Sequence, residues 1–222
     1  MLDLVARHPA TARFIATKLA RRFVSDDPPP ALVERLARVF TETDGDLKAL
    51  VVALFESPEM WSRDAYRSKI KMPFEFAVSA VRALGGHVDN AGGLAGALGK
   101  MGQPLYRCQP PTGYKDAPAT WVNTGALIAR LNFGLALAQG KLGGTHVHVQ
   151  PLGADLFSLD PSPAVARAGQ LVLHDELAAG SRDVILAELA AEDRSMADGE
   201  VRQLDLPRVV GMLLGTPEFQ RR

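Results

Sequence analysis

Apolar residues recur at helical spacing through most of the chain, in runs that stop at proline or glycine. One run follows His8 and is ended by the three prolines at 28–30, and another opens at Pro73 and stops at Gly85-Gly86. Spacing of this kind forms the buried face of an amphipathic helix, and prolines remove the backbone donors that a helix needs. The sequence therefore predicts an all-α fold, an irregular multi-helix bundle with one long ordered loop and little or no β-structure.

Each predicted helix has a stripe of large apolar side chains that we expect to face the core. The stripes that define this expectation are Phe14, Ile15, Leu19 and Phe23, then Leu47, Leu50, Val51, Leu54 and Phe55, then Phe74, Ala77, Val78, Val81 and Leu84, and finally Trp121, Leu127, Ile128, Leu131 and Leu135 on a long helix from Pro118. Later helices are predicted over 161–177, 181–191 and 206–214, the second capped by Ser181. Ser57-Pro58-Glu59 predicts a further helix start, and Thr216-Pro217-Glu218 repeats its pattern.

Composition limits the classes of partner and the compartment. The chain has 25 basic and 25 acidic residues in 222, so no net charge favours nucleic acid. No apolar run approaches the roughly 18 residues of a membrane-spanning helix, and Met1 is followed by Leu2-Asp3 rather than by a signal peptide. We therefore expect no membrane insertion and no signal peptide in this chain. The length predicts a single helical domain over 1–222, with lobes at 1–86 and 87–222.

A long loop follows the helical pattern that ends near Met101, and the candidate segment at 102–123 comprises this loop and the first residues of the helix predicted from Pro118. Loops of this length are uncommon inside a domain unless they are functional or disordered, and the prolines and aromatic residues here argue against disorder. A loop folded over the start of the following helix would form a small polar pocket, where helix N–H groups attract anions. The pocket would suit a saccharide, a peptide or a small anion. The predicted ligand-binding residues are Gln103, Arg107, Gln109, Tyr114, Trp121, Asn123 and Arg130.

Structural interpretations compete with this one. The prolines and aromatic rings could instead cover the core as a lid, with Arg130 paired to a carboxylate such as Asp116. His146 and His148 have a strand spacing compatible with a metal ion, with Asp155 and His174 as further ligands, but a solvated loop is the favoured interpretation. Cys108, the single cysteine, lacks a nearby catalytic signature, and no phosphate-binding or nucleophile-elbow motif is present. The sequence predicts no metal, no cofactor and no identifiable catalytic residue.

Short motifs along nearly the whole chain resemble the bacterial domain-of-unknown-function 1800 family. They are His8-Pro9-Ala10-Thr11-Ala12, the Leu54 to Met60 segment, Lys71-Met72-Pro73-Phe74-Glu75-Phe76, Gly102-Gln103-Pro104-Leu105-Tyr106, Pro110-Pro111 with Gly113-Tyr114, Trp121-Val122-Asn123, Arg130-Leu131-Asn132-Phe133 and the closing Pro217-Glu218-Phe219-Gln220-Arg221. Members of that family are usually longer, so this chain resembles the C-terminal half alone. The family commonly has tryptophan or phenylalanine where this loop has Tyr106 and Tyr114.

The resemblance implies a cellular setting rather than a reaction. Members often look like exported proteins and are often encoded beside an uncharacterised protein that resembles sulfatases, which makes that neighbour a candidate partner. Our expectation is a binding or interaction module of an exported bacterial protein, whose 102–123 loop contacts a ligand or a partner. The alternative is part of a hydrolase-like enzyme whose other catalytic groups lie outside this chain.

Overall fold

The computed structural model describes residues 1–149, 160–174, 177–193 and 204–222, and within these ranges the fold is helical. The helices are α1 (Leu2–Ala6), α2 (Pro9–Phe23), α3 (Pro30–Glu42), α4 (Leu47–Phe55), α5 (Pro73–Ala83), α6 (Gly92–Lys100), α7 (Pro118–Trp121), α8 (Thr124–Ala138), α9 (Pro161–Leu173), α10 (Ala179–Asp193), α11 (Leu206–Gly215) and α12 (Pro217–Gln220). Strands β1 (His87–Val88) and β2 (Thr145–His146) form one antiparallel pair. The predicted all-α class is confirmed.

The chain divides into two units by its internal contacts. The first unit comprises Met1–Ile70, Lys115–Thr120 and Arg222, and the second comprises Lys71–Tyr114 and Trp121–Arg221. The prediction of a single domain with lobes at 1–86 and 87–222 stays a prediction. In the part of the chain that the structure describes, no helix is both long enough and apolar enough to cross a membrane.

In the first unit, small residues rather than large ones line the buried face of α2. Ala16 and Ala20 are fully buried and pack with Leu32 and Leu36 of α3, whereas Phe14 is 60% exposed. The prediction that Phe14 and Phe23 face the core is therefore wrong. Alanine has no side chain beyond Cβ, so it lets two helices approach closely, and the large residues of α2 remain at its edge.

In the second unit, α8 also buries a different face from the predicted one. Phe133, Leu137 and Arg130 point inward, while Leu127, Ile128 and Leu131 are exposed. The helix is apolar on most of its surface, so the positions of large residues do not identify its inner face. The predicted single helix from Pro118 is also wrong, because α7 ends at Trp121 and α8 begins at Thr124.

Two predicted helix starts differ in the structure. Residues 57–61 form consecutive turns with i to i+3 hydrogen bonds, including Met60 N–H to Ser57 O, rather than a helix. Ser181 lies inside α10, where its hydroxyl donates to the Glu218 carboxylate at 2.9 Å. By contrast, Thr216 does precede a short helix, α12, and its hydroxyl oxygen accepts from Phe219 N–H. Ser57 and Thr216 make the same kind of local hydrogen bond, because the hydroxyl of each donates to the carbonyl oxygen three residues earlier.

The crossing of α8 and α11 depends on glycine. A Cβ atom added to Gly211 would lie 2.8 Å from Cα of Leu135, which is backbone and cannot move aside. We expect Gly211→Ala to lower the free energy of unfolding by about 1–3 kcal/mol through overpacking. Gly96, inside α6, has nothing within 4 Å of such an atom, so Gly96→Ala should raise stability by about 0.5–1 kcal/mol. Urea unfolding measures the change in stability of both variants. Equal changes for Gly211→Ala and Gly96→Ala would contradict close packing at Gly211.

Candidate functional site

The first end of the predicted loop is fixed to the start of α5. Gly102 has φ of 93° and ends α6, where glycine adopts this left-handed conformation without strain. Gln103 follows, and its buried side chain accepts a hydrogen bond from Phe74 N–H at 2.8 Å. That N–H lies in the first turn of α5 and has no acceptor within its own helix. Gln103 therefore holds the loop against the helix.

The other end of this part of the loop is fixed by Tyr114. Its hydroxyl donates to the carbonyl oxygen of Pro104 at 2.6 Å, which closes the segment from 104 to 114. Its ring lies 5.9 Å from the buried Trp121 ring at an interplanar angle of 59°, a favourable tilted arrangement. Two of the predicted ligand-binding residues, Tyr114 and Trp121, are thus in contact and support the loop.

The hydroxyl of Tyr114 offers a test of this closure by pH. Partial burial, and to a smaller extent the nearby Cys108, raise the pKa of Tyr114 above its usual value. The unfolded chain therefore loses this proton first as pH rises, so the Tyr114 contribution to stability falls above about pH 10. We expect the difference between the 295 nm titrations of the protein and Tyr114→Phe to have its midpoint above 10. A midpoint at or below 10 would show that the hydroxyl is not held.

Asn123 and Arg130 also have internal contacts. The Asn123 side chain caps α8 by accepting from Ala126 N–H at 2.9 Å. Arg130 is fully buried, donates to Lys71 O at 2.7 Å and to Gln220 Oε1 at 3.1 Å, and lies over the Phe76 ring. Burial lowers the pKa of Arg130 to about 10, against the opposing influence of Glu75. The guanidinium is therefore charged at neutral pH and joins the start of α5 to α12.

Arg107 and Gln109 differ from the other predicted residues because both are exposed. They lie in the segment 105–112, which we call the loop apex. Its most exposed member is Tyr106, whose side chain has no protection from solvent and whose φ is 59°. A left-handed conformation costs a non-glycine residue roughly 1–2 kcal/mol. The loop therefore holds an aromatic side chain in solvent on a strained backbone between two fixed ends.

A small cavity lies beside the loop apex in the same unit. We call it the apolar cleft; it has a volume of about 210 Å³ and is lined by α5, α6, Val88 and Leu105. Phe74, Val78 and Leu105 are each more than a third exposed at this surface. Arg82 is the one charged residue in the lining. The structure thus places an exposed aromatic residue and an apolar depression next to each other on one unit.

The sequence analysis selected this loop as the candidate site but did not select Leu105 or Tyr106. No residue pattern reports that a tyrosine has positive φ, because the conformation follows from the contacts that close the loop. The available signal was Leu105-Tyr106 itself, two large apolar residues between polar and proline-rich neighbours. Ligand binding by the seven predicted residues stays a prediction, although five of them have the structural contacts described above.

One part of the predicted loop, Lys115–Thr120, belongs to the first unit. There Asp116 lies 3.3 Å from the buried ammonium group of Lys69, which also contacts Asp26. Arg22 and Arg222 lie within 4 Å of the same Asp116 carboxylate. The suggested pairing of Arg130 with Asp116 is therefore wrong: Arg130 binds neutral acceptors, and Asp116 has three cationic neighbours.

The structure is thus that of a helical protein in which contacts of Gln103 and Tyr114 close one loop, with Tyr106 exposed at the loop apex. The chain belongs to the family described as a protein of unknown function, DUF1800, which matches residues 1–221. The family expected from the motifs is thereby confirmed. Comparison with curated proteins and with solved structures gave no match.

Proposed function

We propose that this chain is a protein-interaction module in which the loop apex and the apolar cleft bind a partner protein. The observation that carries the proposal is Tyr106, fully exposed and with φ of 59° on a loop that is closed at both ends. Neither the strain nor the exposure of the ring stabilises the free protein. Both are explained if the ring is buried in a complex, where a preformed aromatic side chain binds with little loss of entropy.

The cleft favours an apolar side chain of a protein over a saccharide. Pockets for small molecules usually enclose about 300–1,000 Å³, whereas this cleft has about 210 Å³. A saccharide needs several hydrogen-bonding groups, and the lining offers mainly apolar side chains with Arg82 at one point. An apolar anchor residue of a partner fits this volume and lining. Arg107 and Gln109 would then form part of a polar rim around the buried contact.

Export of this protein and the identity of its partner belong to the same proposal. The sulfatase-like protein implied by the family resemblance is the first partner to test, because it would be encoded beside this chain. The hydrolase-like alternative stays a prediction, since no catalytic set is assigned to it.

The test is the affinity of the purified sulfatase-like neighbour for this chain, measured by calorimetry. Tyr106→Ala should weaken binding at least tenfold, as expected for an aromatic residue at the centre of an interface. Tyr66→Ala is the matched control, because Tyr66 is also exposed but lies in the first unit. Loss of binding in both variants, or in neither, would contradict a site at the loop apex.

The stability of a second variant tests the strain directly. Asparagine adopts the left-handed conformation with less strain than tyrosine, so Tyr106→Asn should raise the free energy of unfolding by about 0.5–1 kcal/mol. The same variant should bind the neighbour as weakly as Tyr106→Ala, because the aromatic ring is gone. A substitution that stabilises the free protein while it weakens binding is typical of a functional site. A destabilised Tyr106→Asn would mean that the tyrosine ring stabilises the free protein.

A further inference from the structure

Three of the five histidines in the chain lie on or beside the two-stranded sheet. His87 of β1 is directly opposite His146 of β2. Both imidazoles reach one carboxylate: His87 Nε2 is 2.8 Å from Asp89 Oδ1, and His146 Nε2 is 3.0 Å from Asp89 Oδ2. All three side chains are more than half exposed, so a solute ion has access to them.

We propose that His87, His146 and Asp89 bind a divalent transition metal ion of the Zn²⁺ class. Two imidazole nitrogens and one carboxylate are a ligand set that Zn²⁺ accepts, with the fourth tetrahedral position left to water. Directly opposed residues of an antiparallel pair have Cβ atoms about 4.5–5.5 Å apart, so two imidazoles can reach one ion. The proposal is independent of the partner-binding loop.

The backbone that carries Asp89 is fixed against β2. The N–H groups of Asp89 and Asn90 both donate to the carbonyl oxygen of Gly144, at 3.0 and 3.2 Å. A Cβ atom on Gly144 would lie 2.3 Å from Asn90 O, so only glycine permits this approach. The positions from which the three ligands project are therefore set by the backbone before any ion binds.

The side chains themselves must rotate to admit the ion. As they stand, the carboxylate lies between the imidazoles, and no three such side chains in the described ranges are already spaced to hold a metal. Zn²⁺ takes nitrogen and oxygen ligands at about 2.0–2.2 Å, which requires Asp89 to move aside. Exposed contacts of this kind contribute little to stability, so the movement is easy. Each neutral imidazole then carries its proton on Nδ1 and offers the Nε2 lone pair to the ion.

His148 is placed to join the same face. Thr145 and Val149 are buried and Val147 is half-buried, whereas His146 and His148 between them are exposed. Side chains of an extended chain alternate between two faces, so His146 and His148 project on one side. Of the ligands suggested by sequence spacing, the proposed site uses His146, with His148 next to it on the same side, whereas His87 and Asp89 were not among them. Of the other suggested ligands, Asp155 lies outside the described residues and His174 ends α9.

Calorimetric titration of the full chain with ZnCl₂ tests the site. We expect one Zn²⁺ per chain, and at least tenfold weaker binding for both His87→Ala and His146→Ala. The control is His174→Asn, which removes an exposed histidine from the end of α9, where φ is 53° and asparagine is tolerated. Its Zn²⁺ affinity should equal that of the unmodified chain.

Thermal unfolding gives a second readout that does not depend on heat of binding. Zn²⁺ should raise the unfolding temperature of the unmodified chain and of His174→Asn, but not of His87→Ala, because an ion that binds only the folded state stabilises it. His87→Gln retains a polar side chain but lacks the imidazole, so it should also show no rise in unfolding temperature. It is the control for misfolding of the alanine variant. Absence of Zn²⁺ binding to the unmodified chain would overturn the proposal. Undiminished binding by both alanine variants would also overturn it.

Discussion

Replacing Arg130 with alanine should lower the free energy of unfolding by about 3–5 kcal/mol. The side chain is fully buried, and its removal leaves a cavity beside the Phe76 ring. It also leaves the Lys71 carbonyl oxygen and Gln220 Oε1 without the guanidinium donor that each has in the folded chain. Loss of packing and loss of two charge-assisted hydrogen bonds act in the same direction. Urea unfolding of the purified variant measures the sum.

Arg130→Met separates these contributions. Methionine fills most of the space and removes the guanidinium group, whose pKa is lowered to about 10 by burial. Because both hydrogen-bond acceptors of Arg130 are neutral and the nearby Glu75 carboxylate still accepts from Met72 N–H, we expect a loss of only about 1–2 kcal/mol, mainly from the missing hydrogen bonds. Arg167 is an exposed arginine of α9 and supplies the control; Arg167→Ala should change stability by less than about 0.5 kcal/mol. An Arg130→Ala variant as stable as this control would refute the structural role.

Replacing Lys69 with methionine should lower the free energy of unfolding by about 3 kcal/mol. Its ammonium group is almost completely buried in the first unit and lies between the Asp26 and Asp116 carboxylates. Without it, two partly buried negative charges face each other and Asp26 loses its cation. Arg22 and Arg222 still lie beside the Asp116 carboxylate. We therefore expect a loss at the lower end of the range of about 3–5 kcal/mol that is found when one partner of a buried ion pair is removed. Chemical denaturation and limited proteolysis near 115–120 measure the effect.

A second substitution in the same cluster gives the internal check. Asp26→Asn in the Lys69→Met background removes one of the two facing charges, so it should restore part of the stability. In the unmodified chain the same substitution should be destabilising, because there it removes a partner of Lys69. Lys48 is exposed, and Lys48→Met should have little effect. Additive effects of the two substitutions would mean that Lys69 and Asp26 do not interact.

Local rules predicted the helices better than they predicted which faces are buried. Pro73 is a start signal that depends on the backbone alone, and α5 begins there as expected; the stripe that opens at Leu47 likewise coincides with α4, which Asp46 caps. The inner face of α2 depends instead on how closely α3 approaches, and that distance suits Ala16 and Ala20 rather than Phe14. A rule that places large apolar residues inside cannot foresee this choice.

The candidate site shows the same division. Proline and aromatic content identified an ordered loop, but several of its polar residues have partners distant in sequence. Gln103 meets Phe74 N–H, and Arg130 meets Lys71 and Gln220. A polar side chain next to a loop has the same sequence appearance whether it binds a ligand or satisfies a buried backbone group. Only the fold separates Gln103 from the exposed Arg107 and Gln109.

Hydrogen exchange of the chain with and without the purified sulfatase-like neighbour tests the central claim most directly. If the loop apex and the apolar cleft are the binding surface, the partner should slow exchange of the amides at 105–109 and at the start of α5. Exchange in α2 and α3 of the first unit should not change. A complex that protects α2 and α3 while the amides at 105–109 exchange as in the free chain would contradict the account.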